Sequence, residues 1–204
     1  MDLFSSSEPT ELQLPGAELQ FYQQFELGCD DSALLHRLIT DTPWQQEDIT
    51  LFGKTHAQPR LIAWHGDKEA RYTYSGISHE PLPWTEQLQK LRLLVQDASG
   101  HQFNSVLLNY YRDQHDSMGL HADDEPELGP EPAIASLSLG EERVLYFKHK
   151  FRRDLTTVNL PLPSGSLLLM RGATQRNWKH GLRKLRRPCG PRVNLTFRLV
   201  LASP

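Results

Sequence analysis

His121 and Asp123 stand two residues apart in a chain of 204, an imidazole and a carboxylate on either side of Ala122. Successive side chains alternate along extended backbone, so both leave the same face and can meet one cation. Two ligands do not make a site. A third is available at His180, in Asn177-Trp178-Lys179-His180-Gly181, across a long insertion that a sheet can fold back. Two imidazoles and one carboxylate, with the remaining positions open, suit non-haem Fe(II) and leave room for a co-substrate and oxygen. The chain has nine histidines, and a surface histidine near an acid commonly does nothing, so the pattern needs support from elsewhere.

That support comes from the run Arg192 to Leu199. Alternation puts Arg192, Asn194, Thr196 and Arg198 on one face and Val193, Leu195, Phe197 and Leu199 on the other. Two planar guanidinium forks flanking an amide and a hydroxyl make a carboxylate-binding row. A dicarboxylate needs one anchor at its far end and one near the metal, and a strand with arginine at both ends provides them. Val106 to Tyr111 also reads as a strand, with Leu107, Asn109 and Tyr111 sharing a face. Asn109 and Tyr111 can therefore donate hydrogen bonds to a bound oxo-acid.

Asn109-x-Tyr111, His121-x-Asp123, His180 and Arg192-x-Asn194-x-Thr196-x-Arg198, in this order, resemble the AlkB family of Fe(II)- and 2-oxoglutarate-dependent nucleic-acid dealkylases. The resemblance runs from Phe52 to Leu199. It is nearest to the branch that repairs duplex DNA, through Leu51-Phe52-Gly53-Lys54, Tyr72-Thr73-Tyr74-Ser75-Gly76 and Asp123-Asp124-Glu125. It implies that His121, Asp123 and His180 hold Fe(II). It further implies that Arg192 anchors the distal carboxylate of 2-oxoglutarate with help from Asn109 and Tyr111. Arg198 then sits nearer the metal, and Asn194 and Thr196 complete the wall. The implied reaction consumes O2, oxidises the N-alkyl group of bases such as 1-methyladenine and 3-methylcytosine, and releases succinate, CO2 and formaldehyde.

For the substrate, the resemblance makes Phe52, between Leu51 and Gly53, a hydrophobic finger inserted into the base stack, with Lys54 at a phosphate. Tyr74 stacks on the target and Tyr72 contacts nearby backbone. Glu125, beyond Asp124, stands where related enzymes hold a carboxylate that helps to discriminate the damaged base. Without the resemblance, Phe52 reads as a core aromatic, the two tyrosines as a packed sheet face and Glu125 as a solvated loop acid.

The elements that must position these residues are many short strands. Ile134 to Leu139 alternates and ends at Gly140-Glu141-Glu142, a hairpin-like turn into Val144 to Phe147. Val158 to Leu162, a Pro163-Ser164-Gly165 turn and Ser166 to Met170 follow. Two amphipathic helices come earlier, one from Asp31 to Ile39 and one starting at Pro83-Trp84-Thr85. This is mainly β with flanking helices, and a double-stranded β-helix, or jelly roll, brings His121, Asp123 and His180 to one mouth. Residues 1–20, polar, acidic and broken by Pro and Gly, read as a flexible tail. Residues 21–204 read as a single dioxygenase domain with a nucleotide-recognition lid at about 45–85.

A hydrophobic share of 38% and a charged share of 23% suit a globular domain, and no apolar run is long enough to span a bilayer, so no membrane role is expected. Cys29 and Cys189 read as free thiols, and no Lys or Arg precedes Arg37. An intracellular monomer is expected, cytoplasmic in a bacterium and nuclear in a eukaryote. The net charge of -3 hides an asymmetry: from Leu139 to Pro204 there are 14 Lys and Arg against three acids. Basic segments at 148–153, 171–176 and 183–187 fall between strands, and Arg183, Lys184, Arg186 and Arg187 are candidate phosphate clamps that position rather than read bases. The expected partner is duplex DNA carrying alkylated bases. An RNA or protein dioxygenase of the same chemistry is one alternative; a catalytically silent nucleic-acid-binding protein is another.

Overall fold

The computed structural model describes residues 8–51, 54–70, 72–74 and 77–201; the side chains of residues 49–51, 54, 72–74 and 77–79 are not described. In chain order the elements are β1 (Thr10–Leu12), β2 (Glu18–Tyr22), α1 (Asp31–Asp41), β3 (Asp48–Leu51), β4 (Lys54–Ala57), β5 (Leu61–Gly66), β6 (Tyr72–Tyr74), β7 (Ile77–His79) and α2 (Glu86–Ser99). There follow β8 (Ser105–Tyr111), β9 (Met118–His121), β10 (Ile134–Gly140), β11 (Arg143–His149), β12 (Val158–Leu162), β13 (Leu167–Arg171), α3 (Thr174–Asn177), β14 (Trp178–Leu182) and β15 (Arg192–Arg198). A seven-stranded sheet runs β1-β2-β13-β10-β15-β8-β5, and a four-stranded sheet runs β12-β11-β14-β9. All their pairings are antiparallel, which makes this the jelly-roll type of double sheet.

Period-two patterning explains why the large sheet has two differently occupied faces. Leu137, Leu139, Val193, Leu195, Phe197, Val106, Leu108, Leu167 and Leu169 point to one side and pack with Leu34 and Leu38 of α1 and Leu88, Leu91 and Val95 of α2. The opposite face turns to the small sheet, where Ile134, Leu168 and Met170 meet Leu145, Phe147, Leu162 and Trp178. Polar members of that inner face include Asn109, Ser136, Ser138, Arg192, Asn194 and Thr196. Both helices start on side-chain caps: Asp30 accepts from the Ala33 amide, and Thr85 from the Leu88 amide.

Three local readings differ from the structure. Gly140 does not turn a hairpin, because β10 pairs in the large sheet and β11 in the small one, so the chain crosses between sheets there. Local alternation followed by a glycine cannot distinguish these outcomes. The glycine is needed all the same: its φ is 92°, and a Cβ would lie 2.3 Å from the Pro191 carbonyl oxygen. Leu199 lies beyond the end of β15 and is 41% exposed rather than on its apolar face. Part of the stretch read as a flexible tail is strand: Thr10 pairs with Phe21, and β2 pairs with β13.

His65 on β5 is buried, with Nδ1 donating to the Pro83 carbonyl at 2.8 Å and Nε2 without a partner. Burial holds its pKa below the ordinary imidazole value, against the smaller opposing pull of the Pro83 carbonyl. The unfolded chain thus takes up a proton that the folded chain resists, so this residue's contribution to stability is lost as the pH falls below about 6.5. Urea unfolding is expected to show lower stability at about pH 5 than at pH 7, and His65→Gln to narrow that gap. An unchanged gap would assign the acid sensitivity to other groups.

Candidate metal centre and co-substrate pocket

β9 and β14 are neighbours, and their register sets His121 opposite His180. The rings lie 4.3 Å apart between centroids at 61°. Asp123, just past the end of β9, completes a group whose ligand atoms all fall within 4.8 Å of one another. His121 Nδ1 lies 3.0 Å from the Gly119 carbonyl, which can only accept, so Nδ1 carries the proton and Nε2 is left for a metal. His180, 6% exposed, is pushed down to about 3 by burial and then by His121, against the pull of Asp123. It is a neutral ligand throughout the physiological range.

Burial alone would raise the Asp123 carboxyl. Arg198, followed by His180 and His121, more than offsets it and holds the group below the ordinary carboxylate value. The Arg198 guanidinium donates to Asp123 Oδ1, and the Asp123 amide donates to Gln175 Oε1 at 3.0 Å. Asp123 Oδ2 is buried without a hydrogen-bond partner among the described residues, 3.7 Å from His180 Nε2. An anionic oxygen left unpaired beside two imidazole rings is costly unless a cation joins them, and the donor set of two nitrogens and one oxygen fits Fe(II).

The row expected on β15 is present on the inner face. Arg192 lies opposite Tyr111, and Asn194 opposite Asn109. Arg192 is 2% exposed, donates to Ser138 Oγ at 2.9 Å, and sits 5.3 Å from the centroid of the Tyr111 ring. Among the described residues no carboxylate lies within 4.0 Å of it, and its Nε has no partner. Burial pushes its pKa down to about 10, with Tyr111 opposing and Arg143 adding to the shift. A guanidinium buried without a counter-ion is a fitted receptor for a carboxylate. Asn194 and Thr196 lie on the same inner face, and their polar groups are engaged within it: Asn194 donates to Ser136 Oγ and the Leu137 carbonyl, and Thr196 donates to Asn194 Oδ1. Tyr111 donates towards Met118 Sδ.

Several participants are not apparent from sequence. Arg60 reaches in from before β5 and donates from Nε to Asn109 Oδ1 at 2.8 Å. Ser136 and Ser138 carry inward positions of β10, which its alternation could have flagged. Arg143, 1% exposed, donates to the carbonyls of Asp113, Asp116 and Arg183, tying the β8–β9 loop to the segment that follows β14.

Of the residues expected at the substrate, Asp124 pairs with Lys150 at 2.6 Å, and Glu125 is half-buried with Oε2 unpartnered among the described residues. Burial raises the Glu125 carboxyl. Arg183 lies over the Tyr146 ring at 4.0 Å, and both Arg183 and Lys184 are exposed. Leu51 pairs with Lys54, and Tyr72 and Tyr74 stand on the β6–β7 pair; Phe52 and Gly53 lie outside the described residues. In the segment 171–176, Arg171 meets Glu11 at 3.7 Å and Arg176 meets Glu131 at 3.3 Å, so part of its charge is balanced within the protein.

Residues 21–198 match the family described as the 2OG-Fe(II) oxygenase superfamily. The chain belongs to that superfamily. Within it, this oxygenase is of the AlkB type. It is 44% identical over 179 residues to mouse alpha-ketoglutarate-dependent dioxygenase alkB homolog 3, covering 84% of this chain and 62% of the relative. It is 43% identical over 195 residues to mouse DNA oxidative demethylase ALKBH2, covering 87% and 82%. The structure titled OsALKBH1 shares the fold, with a TM-score of 0.64 at 18% identity, covering 94% of this chain and 99% of that one. The chain thus spans about three fifths of the length of the alkB homolog 3 relatives it matches. The family works with Fe(II), 2-oxoglutarate and O2, and this oxygenase has a matching donor set for the metal.

Proposed function

We propose that this oxygenase repairs DNA by oxidative dealkylation of N-alkylated bases such as 1-methyladenine and 3-methylcytosine. The observation that carries the reading is the His121–Asp123–His180 group beside a buried Arg192 that has no counter-ion among the described residues and shares its strand face with Arg198, which donates to Asp123. When bound, Fe(II) with 2-oxoglutarate and O2 supplies the oxidation of the alkyl carbon, with succinate, CO2 and formaldehyde as products. The chain's own residues bind and orient. Arg192 holds the distal carboxylate, beside Asn109 and Tyr111. Arg198 fixes the Asp123 carboxylate by hydrogen bonding to Oδ1, which leaves Oδ2 as the ligating atom. The Gly119 carbonyl fixes the His121 tautomer. Names of the relatives support DNA as the substrate, since one is a DNA oxidative demethylase.

Duplex DNA is the preferred form in this reading, and the protein acts as an intracellular monomer. A base must leave the stack to reach the metal, and unpairing an alkylated base costs less than unpairing an intact one. Phe52 fills the space left behind, Tyr74 stacks on the flipped base, Tyr72 and Lys54 hold the strand, Glu125 reads the base edge beside Asp124, and Arg183 and Lys184 clamp phosphates.

Mass spectrometry of oligonucleotides carrying 1-methyladenine tests both levels. Loss of the methyl mass in the presence of Fe(II) and 2-oxoglutarate is the expected result; co-substrate consumption with the methyl retained would send the search to RNA or protein. Phe52→Ala is expected to lower repair of the duplex about tenfold, the scale of one lost stacking contact, and to spare the single strand. Equal loss on both forms would remove Phe52 from the role of wedge.

A further inference from the structure

Phe151 is the most exposed large hydrophobic side chain among the described residues, at 72%. Single apolar groups on a surface are ordinary. This one differs in how it is held and in what surrounds it. Directly after β11 the chain turns, and His149 Nδ1 accepts two backbone amides, from Phe151 at 3.1 Å and from Arg152 at 2.9 Å. The His149 ring meets the buried Trp178 ring edge-on at 5.0 Å, and Trp178 in turn donates to the Pro15 carbonyl. The Phe151 ring also meets His149, 6.2 Å between centroids at 72°. The Lys150 amide donates to the Asn177 carbonyl, and its ammonium pairs with Asp124, the neighbour of a metal ligand. The phenyl ring is thus presented to water on a turn fixed to the floor of the small sheet and to the metal-bearing loop.

Its neighbours in the chain are basic: Lys148, Lys150, Arg152 and Arg153. Arg152 is neutralised by Asp154 at 2.5 Å, whereas Lys148 and Arg153 are exposed and, among the described residues, have no carboxylate within 4.0 Å. An exposed aromatic ring flanked in the chain by such cations suits a strand that offers base faces and phosphates in alternation. An acidic protein segment would engage the charges but would give the ring no flat partner.

The geometry points to Phe151 as a stacking platform for an unpaired base of a nucleic-acid strand, with Lys148 and Arg153 on the adjoining phosphates. The inference rests on the nucleic-acid reading above and adds a binding position outside the metal pocket. The platform is sequence-tolerant, because every base has a π-face.

Fluorescence anisotropy of the full chain with two labelled single strands of equal length, one all-thymine and one composed of abasic sites, separates ring from charge. Phe151→Ala is expected to weaken binding of the thymine strand by about 5- to 100-fold, the range of one base–aromatic stack, and to leave the abasic strand and the salt slope unchanged. Arg153→Gln is expected to weaken both strands alike and to flatten the salt slope by roughly 0.7. Phe151→Trp is expected to restore binding, with its indole fluorescence quenched by the thymine strand alone. Wild-type affinity of Phe151→Ala for the thymine strand, or equal losses on both strands, would overturn the assignment; the first would turn attention to a protein partner for the ring. Methyl removal by the wild-type protein, followed in parallel, keeps the two readings apart. Repair with an inert Phe151 refutes the platform alone, while neither binding nor repair refutes both.

Discussion

Asp123→Ala is expected to abolish Fe(II)-dependent turnover, by well over the ~100-fold that loss of a residue supporting a metal ligand costs. The variant removes the only oxygen donor of the group and also the partner of Arg198. A cation left without its carboxylate in a mostly buried position destabilises by roughly 3–5 kcal/mol where burial is complete, and by less here because the Arg198 side chain keeps 17% of its exposure. Activity and stability can therefore be separated. Asp123→Ala combined with Arg198→Met is expected to regain thermal stability while turnover stays absent. If the double variant recovers turnover, Asp123 is a structural acid and the metal assignment fails.

Arg192→Met carries the second large effect, and its two consequences have opposite signs. Arg192 is buried, unmatched by any described carboxylate and depressed to about 10 by that burial, so it is a burden on the protein without co-substrate. Replacing such a charge by an apolar side chain of similar volume is often neutral or stabilising. The same change removes charge-assisted hydrogen bonds to the distal carboxylate, each worth about 1.5–3 kcal/mol, so KM for 2-oxoglutarate is expected to rise by roughly 100-fold. Thermal melts with and without 2-oxoglutarate supply the check. The wild-type protein is expected to gain stability with ligand and the variant to begin as high or higher but gain little. A variant that melts lower and keeps its KM would make Arg192 a core residue without a ligand.

What could be read from sequence follows from how each feature is encoded. The co-substrate row lies on one seven-residue strand, so alternation alone separates Arg192, Asn194, Thr196 and Arg198 from their apolar neighbours. His121 and Asp123 are close in sequence and stay close in space. His180 is remote in sequence, so spacing can offer it as a third ligand but only the family pattern singles it out among the other histidines. Arg60, Gln175 and Arg143 were hidden because they arrive from remote elements, and nothing in their neighbourhoods marks a lone arginine or glutamine as inward-facing. The crossing at Gly140 was hidden because a glycine that turns a hairpin and one that arches between sheets have the same local sequence. The β1 strand is three residues long, two of them polar, too short for any period to show. Phe151 was passed over because an exposed aromatic in a basic run looks like any loop residue until its turn is seen fastened to His149.

The most direct test of the whole account is the paired release of succinate and formaldehyde from an oligonucleotide carrying 1-methyladenine, with Fe(II) and 2-oxoglutarate, beside the Asp123→Ala protein. The account predicts that the two products appear together, that release depends on the methyl group and is faster on the duplex, and that the variant yields neither. Succinate without formaldehyde would contradict the dealkylation of DNA. Absence of both from a folded wild-type protein that binds the oligonucleotide would contradict the enzyme and favour a silent nucleic-acid-binding protein.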